Sequence, residues 1–211
     1  MRKIFCTLVA VLVLAVTSIA MAATVGPQIP TSQKISEAYA SIWNGQPGRL
    51  TRVGVIYKND AKTTYDDEID VKMINSIVKA ISPYDHVLVD STALLNDLQS
   101  MGINDITMAE RNDIIDVLAK DNLDYAVIVQ VDPFVRKERM SMFRYTLEMT
   151  SSIPVKIIDV QNNKYIFNGK YTEFSKHGTA VGGVSNKATV MKVLDIVCPE
   201  LERDIAKIPK G

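Results

Sequence analysis

The chain has 211 residues, with 24 lysines and arginines against 24 aspartates and glutamates and a net charge of zero. That balance, without a basic stripe, argues against a nucleic-acid binder. A chain of this size buries roughly 70% of its unfolded surface, so it needs neither a disulfide nor a metal to fold.

The first 22 residues read as an export leader. Arg2 and Lys3 form a positive start, and Ile4 to Ile19 run without a charge. Ala20-Met21-Ala22 then gives the small-x-small pattern of a cleavage site, so the mature chain is expected to begin at Ala23. The apolar run is short for a membrane span. Cys6 precedes that run, and Ala22 and Ala23 stand where a lipidated cysteine belongs, so no lipid anchor is expected. Loss of Arg2 and Lys3 leaves 22 basic against 24 acidic residues. The expected location is the periplasm or the outside of the cell, with no stable membrane anchor after cleavage.

Residues 23–49 are expected to form a lead-in and one short helix. Ser32 caps that helix, and Ile35, Ala38, Tyr39, Ile42 and Trp43 share a face at spacings of three and four. Residues 50–211 then form a single α/β domain. Val53 to Tyr57 is a strand. Ile69, Met73, Ile77 and Ile81 recur every four residues in a helix from about Asp66 to Ile81. His86 to Asp90 is the second strand, followed by a helix with Leu94, Leu95 and Leu98 that stops at Gly102. Thr107 with Glu110 fits a capping box opening a helix that carries Ile114, Ile115 and Leu118. Tyr125 to Val131 is almost wholly apolar, as a strand buried on both faces would be.

Beyond Val131 the helices stop and strands follow. Phe143, Tyr145, Leu147 and Met149 alternate with Arg144, Thr146 and Glu148, giving a strand with one wet face at a sheet margin. Val155 to Val160 is the next strand, and Gln161 to Lys164 a hairpin turn. Tyr165, Phe167, Gly169 and Tyr171 line one face of the strand that returns. Ser175 to Gly183 reads as a loop. Ser185 starts a last helix that Pro199 must kink or restart. The expected fold is α/β with α+β character in its C-terminal half. One mixed sheet opens β-α-β-α-α-β, continues as an antiparallel meander and closes with a C-terminal helix.

The segment from Val87 to Val131 carries a resemblance. Val89-Asp90 ends a strand, Leu94-Leu95-Asn96-Asp97-Leu98-Gln99 follows as a helix, and Leu123-Asp124-Tyr125-Ala126-Val127-Ile128-Val129-Gln130-Val131 closes the unit. Ile157-Ile158-Asp159-Val160 before an Asn turn, then Tyr165-Ile166-Phe167, adds a later hairpin. These patterns resemble the envelope superfamily of the TolB amino-terminal domain, the curli-secretion lipoprotein CsgG and the penicillin-binding-protein activator LpoB. The resemblance spans roughly residues 50–205. It implies the fold and a habit of binding other envelope proteins without catalysis. Gln130 departs from the family's usual glycine. Amphipathic insertions of the kind that build a transmembrane barrel are missing, so a pore is not expected.

No catalytic, cofactor or metal site is legible. His86 and His177 lack a second histidine at helical spacing. Gly182-Gly183-Val184-Ser185 has Lys187 where a nucleophile elbow needs glycine, and it lacks the phosphate-cradling G-K-[ST]. Cys198, the one cysteine of the mature chain, sits among apolar residues as a buried thiol. The candidate partner-binding residues are Arg136, Lys137, Arg139 and Arg144. They read either as a patch for an acidic partner or anionic polymer, or as a solvated hairpin tip interrupted by Glu138. The expected function is that of a non-enzymatic envelope adaptor or assembly factor, with envelope proteins as partners. The alternative is a small-molecule or glycan binder that uses the 175–183 loop as a lid.

Overall fold

The computed structural model describes residues 51–81, 86–119, 122–179 and 183–209. The leader, its cleavage site and the Trp43 helix lie outside the described residues.

The element order is β1 (Thr51–Asn59), α1 (Asp66–Ala80), β2 (His86–Asp90), α2 (Leu94–Ser100), α3 (Arg111–Leu118), β3 (Tyr125–Val131), β4 (Val135–Ser141), β5 (Arg144–Thr150), β6 (Ile153–Asp159), β7 (Lys164–Tyr171), β8 (Phe174–Thr179) and α4 (Asn186–Ile205). The main sheet has the order β2-β1-β3-β6-β7. Its β1 pairs in parallel with β2 and β3, while β3/β6 and β6/β7 are antiparallel. Parallel neighbours need crossovers, which α1 and the α2–α3 pair supply.

The two-residue strand period sorts the core into two layers. Val53, Val55 and Tyr57 of β1, Val127 and Val129 of β3, and Val155 and Ile157 of β6 pack with α1 and α4. Ile56, Ala126, Ile128 and Ile158 face the other way and pack with α2 and α3. With β2 and β3 on opposite sides of β1, crossovers on opposite faces keep the same hand.

Helices α1 and α4 run parallel, as their ion pairs ascend together: Glu68 with Lys187, Lys72 with Asp195, and Lys79 with Glu202. Such exposed pairs contribute about 0–1 kcal/mol each. The seam beneath them, with Ile69, Met73 and Ile77 against Val190, Leu194 and Val197, is fully buried. A buried side chain of that kind contributes about 1.5–3 kcal/mol, so the apolar seam holds the helices.

The helix ends are set locally. α2 closes in a Schellman motif: Ile103 N–H donates to Leu98 O at 3.0 Å, Gly102 N–H donates to Gln99 O at 2.9 Å, and Gly102 has φ +85°. The cap of α3 differs from the expected Thr107–Glu110 box. Glu110 is itself the cap and exchanges bonds with Asp113. Asp105 has captured Thr107, accepting from its N–H at 2.8 Å and its hydroxyl at 2.7 Å. Ser185 caps α4 as expected, accepting from Ala188 N–H. The helix then continues through Pro199 to Ile205 without restarting.

The α/β class and the element order of the first half are as the sequence implies. The later strands differ, because they divide between two sheets. β4, β5 and β8 form a separate antiparallel sheet in the order β4-β5-β8. Each is the continuation of a main-sheet strand across a short break: β3 into β4 through 132–134, β5 into β6 through 151–152, and β7 into β8 through 172–173. The order β3-β6-β7 is therefore repeated as β4-β5-β8. The break falls at Pro133, which has no N–H for a ladder, and at Ser151, whose hydroxyl bonds the Glu173 backbone. Two bonds bridge it, Asp132 N–H to Ser152 O at 3.0 Å and Ser151 N–H to Glu173 O at 2.8 Å. The expected meander of three consecutive strands is thus replaced. β6 and β7 form a hairpin of the main sheet, while β5 lies between β4 and β8. A register shift at Ile157/Ile158 also turns Tyr165 toward the α2–α3 layer, whereas Phe167 and Tyr171 stay with the α1–α4 layer.

Candidate partner-binding surface

Open α/β sheets bind ligands beyond the carboxyl ends of parallel strands where successive crossovers diverge. Here that place is the end of β1 and β3, and the chain covers it with its own backbone. Lys58 Nζ donates to Asn104 O at 3.2 Å. The Gln130 side-chain oxygen accepts from Ile106 N–H at 3.3 Å, and its amide donates to Asp132 at 2.8 Å. Lys156 Nζ donates to Ala109 O at 2.6 Å and to Thr107 O at 3.3 Å. Lys156 is buried, and that burial lowers its pKa, with Asp105 pulling the other way. Residues 104–109 are therefore fastened over the strand ends, with Ile106 and Ala109 built into the core. Gln130, the residue that departs from the resembled pattern, is one of these fasteners.

His86 is buried, with Nε2 3.1 Å from Pro209 O. His177 sits on β8 opposite Leu147 of β5. Cys198 is buried, with its sulfur 3.9 Å from Met73 Sδ. Among the described residues no cluster of histidine, cysteine, aspartate and glutamate has metal-site geometry. No helix there is long and apolar enough to cross a membrane.

The expected 175–183 loop is strand in its first part, and residues 180–182 lie outside the described residues. Phe174–Thr179 is strand β8, paired with β5 from Thr150 to Tyr145. Glycine and polar residues there had suggested a loop. The ladder to β5 overrides them.

The expected wet edge strand at 142–149 is also corrected. β5 is flanked on both sides, and the edges of the small sheet are β4 and β8, of which β4 has every residue exposed. Among the described residues β4 pairs with β5 alone, which makes it an edge strand of the small sheet.

The four candidate basic residues lie on two faces. Register pairs Arg136 with Met149, Glu138 with Leu147 and Met140 with Tyr145, so Arg136 shares the inner face of the small sheet. There it ion-pairs with Glu138 and approaches the Tyr145 hydroxyl at 3.5 Å. Lys137, Arg139 and Arg144 lie on the outer face, beside Glu148 and Thr146. Lys176 of β8 joins them, bound to Glu148 at 3.1 Å and 5.0 Å from the Phe174 ring centre. Arg144 lies against Gly178, where a Cβ would stand 2.7 Å from its Nε. Four cations thus surround one carboxylate on the outer face. Lys176 falls in what the sequence reads as a loop from Ser175 to Gly183, and Phe174 lies just before it. The period-two spacing of Phe174, Lys176 and Gly178 was the available signal.

Neither a family model nor a curated protein matches the sequence. The likenesses are to solved structures. Lipoprotein GNA1162 from Neisseria meningitidis aligns over 72% of this chain and 98% of its own, at 10% identity and a TM-score of 0.39. The LpoB C-terminal domain from Salmonella enterica aligns over 69% and 98%, at 11% identity and a TM-score of 0.31. A PelC dodecamer from Paraburkholderia phytofirmans aligns over 77% and 94%, at 13% identity and a TM-score of 0.40. LpoB, one of the proteins the sequence resembles, is thus among the similar structures. At these identities and scores the similarity assigns no family.

Proposed function

We propose that this chain is an exported, non-enzymatic envelope protein, and that it recruits an acidic partner protein along the β4 edge. One observation carries the reading: β4 is a fully exposed edge strand whose outer face belongs to a cationic surface. An added strand gains main-chain bonds, and its acidic side chains would meet Lys137 and Arg139. Charge on the edge also guards it against indiscriminate pairing, which makes acidity the selecting feature. The fastened 104–109 segment favours this reading over a ligand crevice, because the usual ligand position is taken up by backbone.

Export is checked by the intact mass of the protein from its native host, expected to start at or next to Ala23; a mass retaining the leader contradicts it. Partner binding is tested by placing a photo-crosslinking residue at Lys137 on β4 or at the exposed Lys192 on α4. Adducts with an envelope protein are expected from position 137, weakening with salt. Adducts from position 192 and none from 137 would overturn the reading.

A further inference from the structure

The tip of the β4–β5 hairpin breaks the rules of an ordinary turn. Ser141 faces Arg144 across the end of the ladder, and the Ser141 hydroxyl donates to Arg144 O at 3.1 Å. The two residues between them are Met142 and Phe143. Two-residue turns favour glycine, asparagine and aspartate, because their usual forms need a left-handed backbone. Neither Met142 nor Phe143 takes that conformation. Their apolar side chains do not pack on the protein either: Met142 is 89% exposed, Phe143 80%, and neighbouring Met140 83%. Every residue from 135 to 144 is exposed. Three large apolar side chains thus stand largely in water at the end of the hairpin.

We propose that this tip is a docking point for an anionic lipid surface. From Arg139 to Leu147 the chain has no carboxylate, and Arg139 and Arg144 flank the apolar group. Lys137 continues the cationic face behind them. That layout matches an interface, with apolar ends in the acyl boundary and guanidinium groups at headgroup level. Each cation near an anionic surface raises association by about fivefold. A small apolar wedge alone gives marginal, reversible binding, so both signals are required. Charge complementarity and exposure favour lipid over a protein groove. Arg139 and Arg144 also serve the partner reading, whereas Met142 and Phe143 lie beyond the end of β4, so the Met142/Phe143 variant tests this inference separately from that reading.

The test is co-sedimentation of the mature protein with phosphatidylcholine vesicles, with or without phosphatidylglycerol. Binding is expected only with phosphatidylglycerol. Met142→Ser/Phe143→Ser should reduce partition by about tenfold or more, and Arg139→Ser/Arg144→Ser by a similar factor. Thermal melts should match wild type, because these side chains are exposed. Equal partition of wild type and the Met142/Phe143 variant would overturn the proposal, as would no wild-type binding. Concentration-dependent self-association without vesicles, abolished by Phe143→Ser, would instead assign the tip to a contact between copies and also overturn it.

Discussion

Gly54 of β1 lies so close to Leu123 that a Cβ on the glycine would stand 2.3 Å from Leu123 Cδ1 and 2.9 Å from Ser91 Oγ. Leu123 is 1% exposed and packs in the α2–α3 layer, so it has little room to yield. Gly54→Ala should therefore destabilise the domain by about 1–3 kcal/mol, read from the denaturant midpoint. Gly54→Ala on a Leu123→Ala background should cost less than it does alone, because the closer of the two contacts is gone and only Ser91 Oγ remains. Equal costs in the two backgrounds would show that the strain lies elsewhere.

Asp204 supplies a pH test. It is buried on α4, accepts from the Tyr171 hydroxyl at 2.5 Å, and pairs with Lys207 at 2.6 Å. Burial pushes its carboxyl up, but the bonds from Lys207 and Tyr171 outweigh burial and hold it below the usual range. A depressed folded pKa adds stability above the unfolded pKa, about 4, and loses it as pH falls through the folded value. Asp204→Asn should cost about 1–3 kcal/mol at neutral pH. The gap between variant and wild type should close in acid. A gap independent of pH would mean that the carboxylate charge is not what stabilises this contact.

The first half of the fold was legible because period and length agreed there. Ile69, Met73 and Ile77 every four residues, and the unbroken apolar run of Tyr125 to Val131, admit one reading each. The second half was not, because its division depends on tertiary pairing. Ser151 and Ser152 carry the chain between sheets, since β5 finds β4 and β8 as partners. The candidate residues were found by charge, but their faces needed register. Arg136 and Lys137 are neighbours in sequence and point to opposite sides of the small sheet. Without the position of β4, that separation has no signature.

Cys198 should be a slow thiol. It is 5% exposed between α4 and α1, and burial pushes its pKa up against smaller pulls from Ser76 and Lys72. The thiolate is the reactive form, so both access and ionisation are disfavoured. A thiol reagent should label the native protein at the rate of its opening and the denatured protein at once. Rapid native labelling would place Cys198 outside the α1–α4 seam.

The two faces of the small sheet make separable predictions for partner binding. Lys137, Arg139 and Arg144 project from the outer face, where one carboxylate, Glu148, is already paired with Lys176. Arg136 faces the other way and is paired with Glu138. Replacing Lys137, Arg139 and Arg144 with Ser should slow association with an acidic partner several-fold, an effect that shrinks as salt rises. Arg136→Ser should change it little. Both variants should keep the wild-type melt to within about 0.5 kcal/mol, as exposed substitutions do. Stopped-flow association at two ionic strengths reads the difference directly. If Arg136→Ser slows binding as much as the triple variant does, the partner approaches from the inner face, and the outer cations serve another contact.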